Sequence, residues 1–322
     1  MEFFIFYMRD VHGVPTGKLM TMPNFLIIGA AKAGTTALNA ALEQHPQVYM
    51  SPFKEPNFFA FEGETLDFPA GKMNPSYLGY LAKCNTSLEA YQKQFQGVSD
   101  EIAIGEASPS YLYHPKAPER IHHYIPNAKL IAVLRNPVDR AYSNFLHHIR
   151  ERFETCADFA QALAEEENRM RDNWWWGFYY LQAGFYYSQL QRYFDRFDPS
   201  QIKIYLYEDL NRNILNVVQD VFRFLQVDEW FTPDTTTRYN VSGVPKNKFI
   251  YNFLTQQNII KEPFKRLVPD KLRKRFVSKL KQKTLAKPEL SLQVRRNLIK
   301  VYREDILQLQ DLLQRDLSTW LE

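Results

Sequence analysis

Apolar positions along the chain alternate between two periods. Phe25 to Ile28 is a continuous apolar run entered at Asn24 and stopped by Gly29, the pattern of a strand covered on both faces. Thr35 to Gln44 follows with Leu38, Ala41 and Leu42 at helical spacing and Pro46 beyond the end. Further strands are predicted at Ile102–Ile104, Leu130–Leu134 and Ile202–Tyr207. Helical spacing fills the gaps: Pro118–Tyr124, Val138–Arg150, Phe159–Met170, Ser188–Phe197 and Ile214–Leu225. Strands alternating with helices predict an α/β fold of three layers, α/β/α, around a central parallel sheet of four or five strands.

The last third reads differently. Thr232 to Val244 is polar and rich in turn formers, and Val268, Leu272, Phe276 and Leu280 then recur every fourth residue. A final helix over Ser291–Leu317 carries Leu298, Tyr302, Ile306, Leu309, Leu313 and Leu317 on one stripe. The expected organisation is an N-terminal extension over 1–22 and a single domain over 23–322. Its basic, helical C-terminal part begins near 245.

With 322 residues, 45% apolar and 24% charged, the composition is that of a globular chain with ample material for a core. The net charge of +4 is unevenly placed. Between Lys261 and Lys287, eleven Lys/Arg face two acids, Glu262 and Asp270, a local charge of +9 that leaves −5 on the remainder. That excludes a general nucleic-acid-binding surface. It leaves two readings of 261–287: a solvated basic helix face, or a contact with a membrane surface or a carrier protein. Cys84 and Cys156 lack disulfide-framework and metal-ligand spacing, so the expected compartment is the cytoplasm. The apolar run Phe3–Met8 follows an acid and is too short to span a bilayer, and no other run reaches spanning length.

Gly29-Ala30-Ala31-Lys32-Ala33-Gly34-Thr35-Thr36 carries the chemistry. A buried strand entering a small-residue loop that opens a helix makes an anion cradle: backbone N–H groups point outward and small side chains let the anion approach. The two glycines have the spacing of a nucleotide-triphosphatase P-loop, but Thr35-Thr36 stands where that motif needs Lys-Ser/Thr, and the lysine has moved inside the loop to Lys32. The strand Leu130–Leu134 ends in Arg135 rather than a magnesium-holding aspartate, and Ser143 follows on the next helix. Two anion sites on two strand–helix turns are therefore predicted, against the plainer alternative of a tight connection and a surface ion pair.

These residues resemble the sulfotransferases that use 3′-phosphoadenosine-5′-phosphosulfate (PAPS), in the branch of bacterial and heparan-sulfate-type enzymes. Lys32-Ala33-Gly34-Thr35-Thr36-Ala37-Leu38 matches that family's 5′-phosphosulfate loop, and Arg135 to Ser143 its 3′-phosphate element. Lys54-Glu55-Pro56-Asn57-Phe58-Phe59 is similar to the segment that supplies the base. Glu106 to Tyr111, Gly184-Phe185-Tyr186, Glu208-Asp209-Leu210, Phe224-Leu225 and Arg315 to Trp320 extend the likeness over about residues 23–321. The resemblance implies a P-loop-like fold and in-line transfer of a sulfuryl group from PAPS to a hydroxyl or amine. The product is adenosine 3′,5′-bisphosphate, and no metal is required. It assigns donor binding to Lys32, Ala33, Gly34, Thr35, Thr36, Ala37, Arg135 and Ser143, with Lys246 as a further phosphate contact or a solvated loop lysine.

Catalysis would rest on Lys32, for charge developing on the leaving phosphate, and on Glu55 as base. Glu55 has a plainer alternative, an ion pair with Lys54 or Lys32. His114, His122-His123 and His147-His148 are the weaker base candidates. Acceptor contacts are expected from Glu106, Ser108, Tyr186 and Trp176. The run Trp174-Trp175-Trp176-Gly177-Phe178-Tyr179-Tyr180 forms either an aromatic wall over the acceptor or core packing. Heparan-type members carry a lysine beside the glutamate where this chain has Ala107, a departure that points away from a polyanionic glycan. The acceptor class stays open among small molecules, lipids, glycans and carrier-tethered groups. A magnesium-dependent kinase or ATPase and a non-enzymatic nucleotide- or membrane-binding module are the alternatives.

Overall fold

The computed structural model describes residues 21–66, 75–236, 243–245, 285–286 and 288–322. Phe3–Met8, Lys246 and the repeat Val268–Leu280 lie outside them. Five parallel strands form the main sheet: β1 (Phe25–Gly29), β2 (Val48–Met50), β3 (Ala103–Ala107), β4 (Lys129–Leu134) and β5 (Ile202–Leu206), in the order β2-β3-β1-β4-β5. β1 lies at the centre, with Phe25 opposite both Gly105 of β3 and Lys129 of β4. All five of its residues are buried, as the unbroken apolar run requires. Because the chain leaves β1 for one side and later returns to the other, the carboxyl ends of β1 and β4 open a crevice, the usual ligand position in such sheets.

The β1 turn feeds α1 (Thr35–Leu42), and the β4 turn feeds α7 (Pro137–Glu151). Between β2 and β4 run α2 (Phe58–Phe61), α3 (Pro75–Leu81), α4 (Leu88–Gln92), α5 (Ser110–Tyr113) and α6 (Ala117–Tyr124). After α7 come α8 (Phe159–Ala164), α9 (Glu166–Arg171) and α10 (Tyr186–Phe194), and α11 (Tyr207–Leu225) follows β5. A small antiparallel pair, β6 (Val244–Pro245) with β7 (Leu285–Ala286), precedes α12 (Leu292–Leu313). The five-stranded parallel sheet with flanking helices is the predicted α/β class.

Several elements differ from the sequence reading. β2 was not predicted: three residues at a sheet edge are too short to set a period. β3 runs on through Gly105 and Glu106 to Ala107, although its pattern turns polar, because Glu106 is buried. The single helix expected over Phe159–Met170 is two, with Glu166 and Arg169 of the second both buried. α11 begins earlier than Ile214 and breaks at Asn213, whose side chain accepts from the N–H groups of Leu215 and Asn216 and caps the second half. The final helix stops at Leu313, where Gln314 turns left-handed at φ 50°.

α12 is docked through its predicted stripe, with Leu298, Tyr302, Ile306 and Leu309 buried. Gly184 makes room for it: a Cβ there would lie 2.5 Å from the Tyr302 hydroxyl. That hydroxyl donates to the Leu181 carbonyl at 2.8 Å, and Asp305 accepts from the Tyr187 N–H at 3.2 Å. Arg295 meets Asp139 of α7 at 2.6 Å, and the Asn136 side chain donates to the Trp320 carbonyl at 3.4 Å. The C-terminal segment thus braces the β4–α7 turn.

Candidate functional site

Each anion-loop residue is placed by the strand that precedes it. The β1–α1 turn takes Lys32 through a left-handed conformation at φ 68° and Gly34 at φ 104°. Gly34 has reason to be glycine: a Cβ would sit 3.1 Å from Leu210 Cδ2 in a region that L side chains rarely adopt. Gly34 is the N-cap of α1 and offers no side-chain cap; its carbonyl takes the Ala37 N–H at 2.9 Å, so the N–H groups that open onto the turn are those of Thr35 and Thr36. Ala33 and Thr35 are buried, whereas Thr36 and Ala37 are partly exposed. Leu38 and Leu42 anchor the helix in the core.

At the end of β4, Arg135 is 9% exposed, stacks its guanidinium 4.6 Å from the Tyr207 ring and donates from Nη1 to the Lys32 carbonyl at 3.1 Å. That bond ties the two predicted anion turns into one cationic seat. Asn136 caps α7 by accepting from Val138 and Asp139, with Pro137 at the first helical position. Ser143, two turns in, is 1% exposed.

The Lys32 ammonium has no hydrogen bond or ion pair among the described residues. Burial lowers its pKa to about 8; the charges of Arg150, Arg135 and Lys54 lower it too, and Glu55 opposes them. Arg150 therefore joins the seat, which the sequence did not reveal. It lies seven residues beyond Ser143, with His147 between, on one stripe of α7. Arg150 Nη2 bonds His147 Nδ1 at 2.8 Å, so that nitrogen accepts and the ring proton belongs on Nε2. Burial holds the His147 pKa well below its ordinary value, and the Lys32 charge lowers it further. Of the pair assigned to surface or packing, His148 does pack, 4.6 Å from the Phe178 ring, whereas His147 bonds Arg150 and feels the Lys32 charge.

Glu55 lies on the loop between β2 and α2, also left-handed at φ 65°, as is Asn57 at φ 56°. Left-handed backbone costs a non-glycine residue about 1–2 kcal/mol, and Lys32 and Glu55 both adopt it. Lys54 Nζ sits 2.5 Å from Glu55 Oε1, so the ion pair considered above is formed. Glu55 also influences Lys32 electrostatically, which brings the predicted base to the anion seat.

The expected acceptor contacts divide. Glu106 and Ser108 are wholly buried, and this corrects their assignment to the acceptor surface. Ser108 Oγ donates to Glu106 Oε2 at 2.8 Å and accepts the Asn57 N–H at 3.1 Å; Asn57 Nδ2 then donates to the Glu55 carbonyl at 2.7 Å. These residues hold the Glu55 loop from behind. Burial raises the Glu106 pKa to about 7 against hydrogen bonds from Tyr111, Ser108 and Tyr91. Tyr186 is likewise fully buried.

Trp176 is partly exposed and stacks on Tyr113 at 5.7 Å and 20°. Trp175 packs against Phe61 at 5.0 Å and is core. Core packing thus holds for Trp175, while Trp176 keeps a partly exposed face. α7 holds the aromatic run from the stripe beside that of Ser143, His147 and Arg150: Arg140 donates to the Tyr180 carbonyl, Asn144 to the Gly177 carbonyl at 2.7 Å, and His148 Nδ1 lies 3.0 Å from the Tyr180 hydroxyl.

The sulfotransferase domain family matches residues 22–307. A crystal structure of a sulfotransferase from Alicyclobacillus acidocaldarius superposes with a TM-score of 0.73 at 32% identity, covering 94% of this chain and 100% of that one. Human carbohydrate sulfotransferase 15 is 28% identical over 251 residues, 65% of this chain and 45% of the relative. The human bifunctional heparan sulfate N-deacetylase/N-sulfotransferase 2 is 27% identical over 233 residues, 68% of this chain and 24% of the relative. The chain spans less than half the length of these two curated relatives.

Proposed function

The chain belongs to the family of sulfotransferase domains, and we propose that it moves the sulfuryl group of PAPS to a hydroxyl or amine, with Glu55 as base. The observation that carries this reading is the Arg135–Lys32 hydrogen bond, which joins two cationic turns at the carboxyl ends of adjacent strands. The residues fit a bisphosphorylated donor: Lys32, Arg135 and Arg150 share one field, and the N-terminus of α1 opens onto the same turn.

When bound, the donor supplies an activated sulfuryl group whose transfer puts negative charge on the departing 5′-phosphate. Lys32 and the Gly34–Thr36 N–H groups are positioned to take up that charge, which is electrostatic catalysis. Arg135 and Ser143 would hold the 3′-phosphate, far from the reacting bond, and fix the donor's register. Glu55 would accept the acceptor's proton, and the buried Glu106–Ser108–Asn57 chain keeps its backbone in place for that.

For the acceptor we favour an uncharged sugar hydroxyl. The two human relatives are named for carbohydrate and heparan sulfate chemistry. Trp176, stacked on Tyr113, offers an aromatic face suited to a sugar ring. Ala107 stands where an anionic chain would want a lysine. Sulfur-labelled PAPS offered with neutral oligosaccharides, sulfated oligosaccharides, alkyl alcohols and amines tests both donor and acceptor. Label transferred to a neutral sugar and absent from the Lys32→Met variant is the expected result. Donor turnover that requires ATP, or label appearing only on sulfated chains or lipids, rejects the reading.

A further inference from the structure

Arg140 is 1% exposed and is among the largest fully buried side chains. Its Nη2 donates to the Tyr180 carbonyl and the guanidinium lies by the Tyr302 hydroxyl, while Nε and Nη1 make no well-formed hydrogen bond among the described residues. No described carboxylate pairs with it. Glu166, within its field, spends its oxygens on the N–H groups of Leu181 and Gln182 at 2.7 and 2.8 Å, and Asp305 accepts from Tyr187. A buried, unpaired guanidinium is costly, and a neutral side chain could serve one carbonyl. The charge itself therefore needs a use.

Its position supplies one. The Arg140 N–H closes the first turn of α7 on the Asn136 carbonyl at 2.9 Å. Arg140 and Ser143 are three residues apart on the helix, neighbours at about 5–6 Å between Cβ atoms. The buried Tyr186 hydroxyl feels the charges of both Arg140 and Arg135. We propose that Arg140 is a positioning charge for the donor's 3′-phosphate. It lies beneath the β4–α7 turn, does not touch the ligand, and raises the positive potential at Arg135 and Ser143. The bound dianion compensates the charge that the free protein leaves unpaired. This inference rests on the donor reading above.

The test compares Arg140→Lys, which keeps the charge, with Arg140→Gln, which keeps an N–H donor without it, and Arg140→Met, which keeps neither. Affinity for adenosine 3′,5′-bisphosphate is measured by titration calorimetry and unliganded stability by thermal unfolding. A unit charge removed at this range inside a protein predicts roughly ten- to thirtyfold weaker binding for the Gln and Met variants. The Lys variant should stay within about threefold of wild type, and unliganded Arg140→Met should unfold no earlier than wild type. Gln and Met variants that bind as tightly as wild type overturn the inference, as does a Lys variant as weak as Met. Failure of both neutral variants to fold while Lys folds would assign Arg140 to stability alone. Wild-type protein that does not bind the bisphosphate sinks the donor reading itself, and this inference with it.

Discussion

Lys32 offers the sharpest test of the site because its environment is set against its own charge. The fall of its pKa from 10.5 to about 8 corresponds to about 3 kcal/mol of penalty on the ammonium in the unliganded protein. The causes are burial first, then Arg150, with Arg135 and Lys54 contributing and Glu55 opposing. An anion at the seat reverses that balance and holds the lysine charged. Binding of adenosine 3′,5′-bisphosphate should then be insensitive to this group below pH 8. Above it, affinity should fall about tenfold per pH unit, reaching roughly 300-fold by pH 10.5.

The sign for folding runs the other way. Between pH 8 and 10.5 the unfolded chain binds the extra proton, so the lysine's destabilising contribution fades as pH rises. Calorimetric titrations from pH 7 to 9.5 at fixed ionic strength separate this effect from the ligand's phosphates, which are already dianionic there with a second pKa of about 6. Lys32→Arg stays charged throughout and should show no decline; Lys32→Met should be weak and flat. A wild-type affinity constant within twofold across the range refutes the reasoning, and so does an arginine variant that declines in parallel.

Three further predictions concern the site and the packing around it. Glu55→Gln should lower the transfer rate by about 10²–10⁴-fold with bisphosphate affinity within threefold, and a rate loss under tenfold in single-turnover assays would remove Glu55 as base. Glu154 is wholly buried against Arg169 at 2.7 Å, so Glu154→Gln should cost about 3–5 kcal/mol in denaturant unfolding. Burial pushes the Glu154 pKa up, but hydrogen bonds from Arg169 and Tyr180 bring it below its ordinary value; its contribution should be present above pH 4.5 and fade as pH drops through the lowered value. Gly34→Ala, at φ 104° with Leu210 3.1 Å from the new Cβ, should cost about 1–2 kcal/mol and weaken bisphosphate binding, read by thermal unfolding and titration.

Much of the architecture was legible because it rests on local patterns. β1 and β4 are buried on both faces, so their apolar runs are unbroken, and the turns after them carry Gly34, Arg135 and the Asn136-Pro137 start of α7 in plain view. β2 escaped notice because three edge residues hold no period. The helix predicted from Ile214 does begin after the Asn213 cap; the first part of α11, from Tyr207, escaped notice because its charged run Glu208-Asp209 and Asn211-Arg212-Asn213 carries no apolar period.

The acceptor side was read less well, for a physical reason. Glu106, Ser108 and Tyr186 are polar residues in suggestive segments, and polarity alone does not tell a surface contact from a buried hydrogen-bond link. His147 and Arg150 were passed over because helical spacing says which residues share a stripe but not what that stripe faces. Local chemistry thus settled the fold class and marked the two turns as candidate anion sites, since each depends on neighbours within a few residues. Long-range packing settled the rest. It joined Lys32 to Arg135 across two strands and set Arg150 in the field of Lys32. It also put Glu106 behind the Glu55 loop and left Arg140 charged inside the core, because burial and electrostatic environment depend on contacts between segments far apart in the chain.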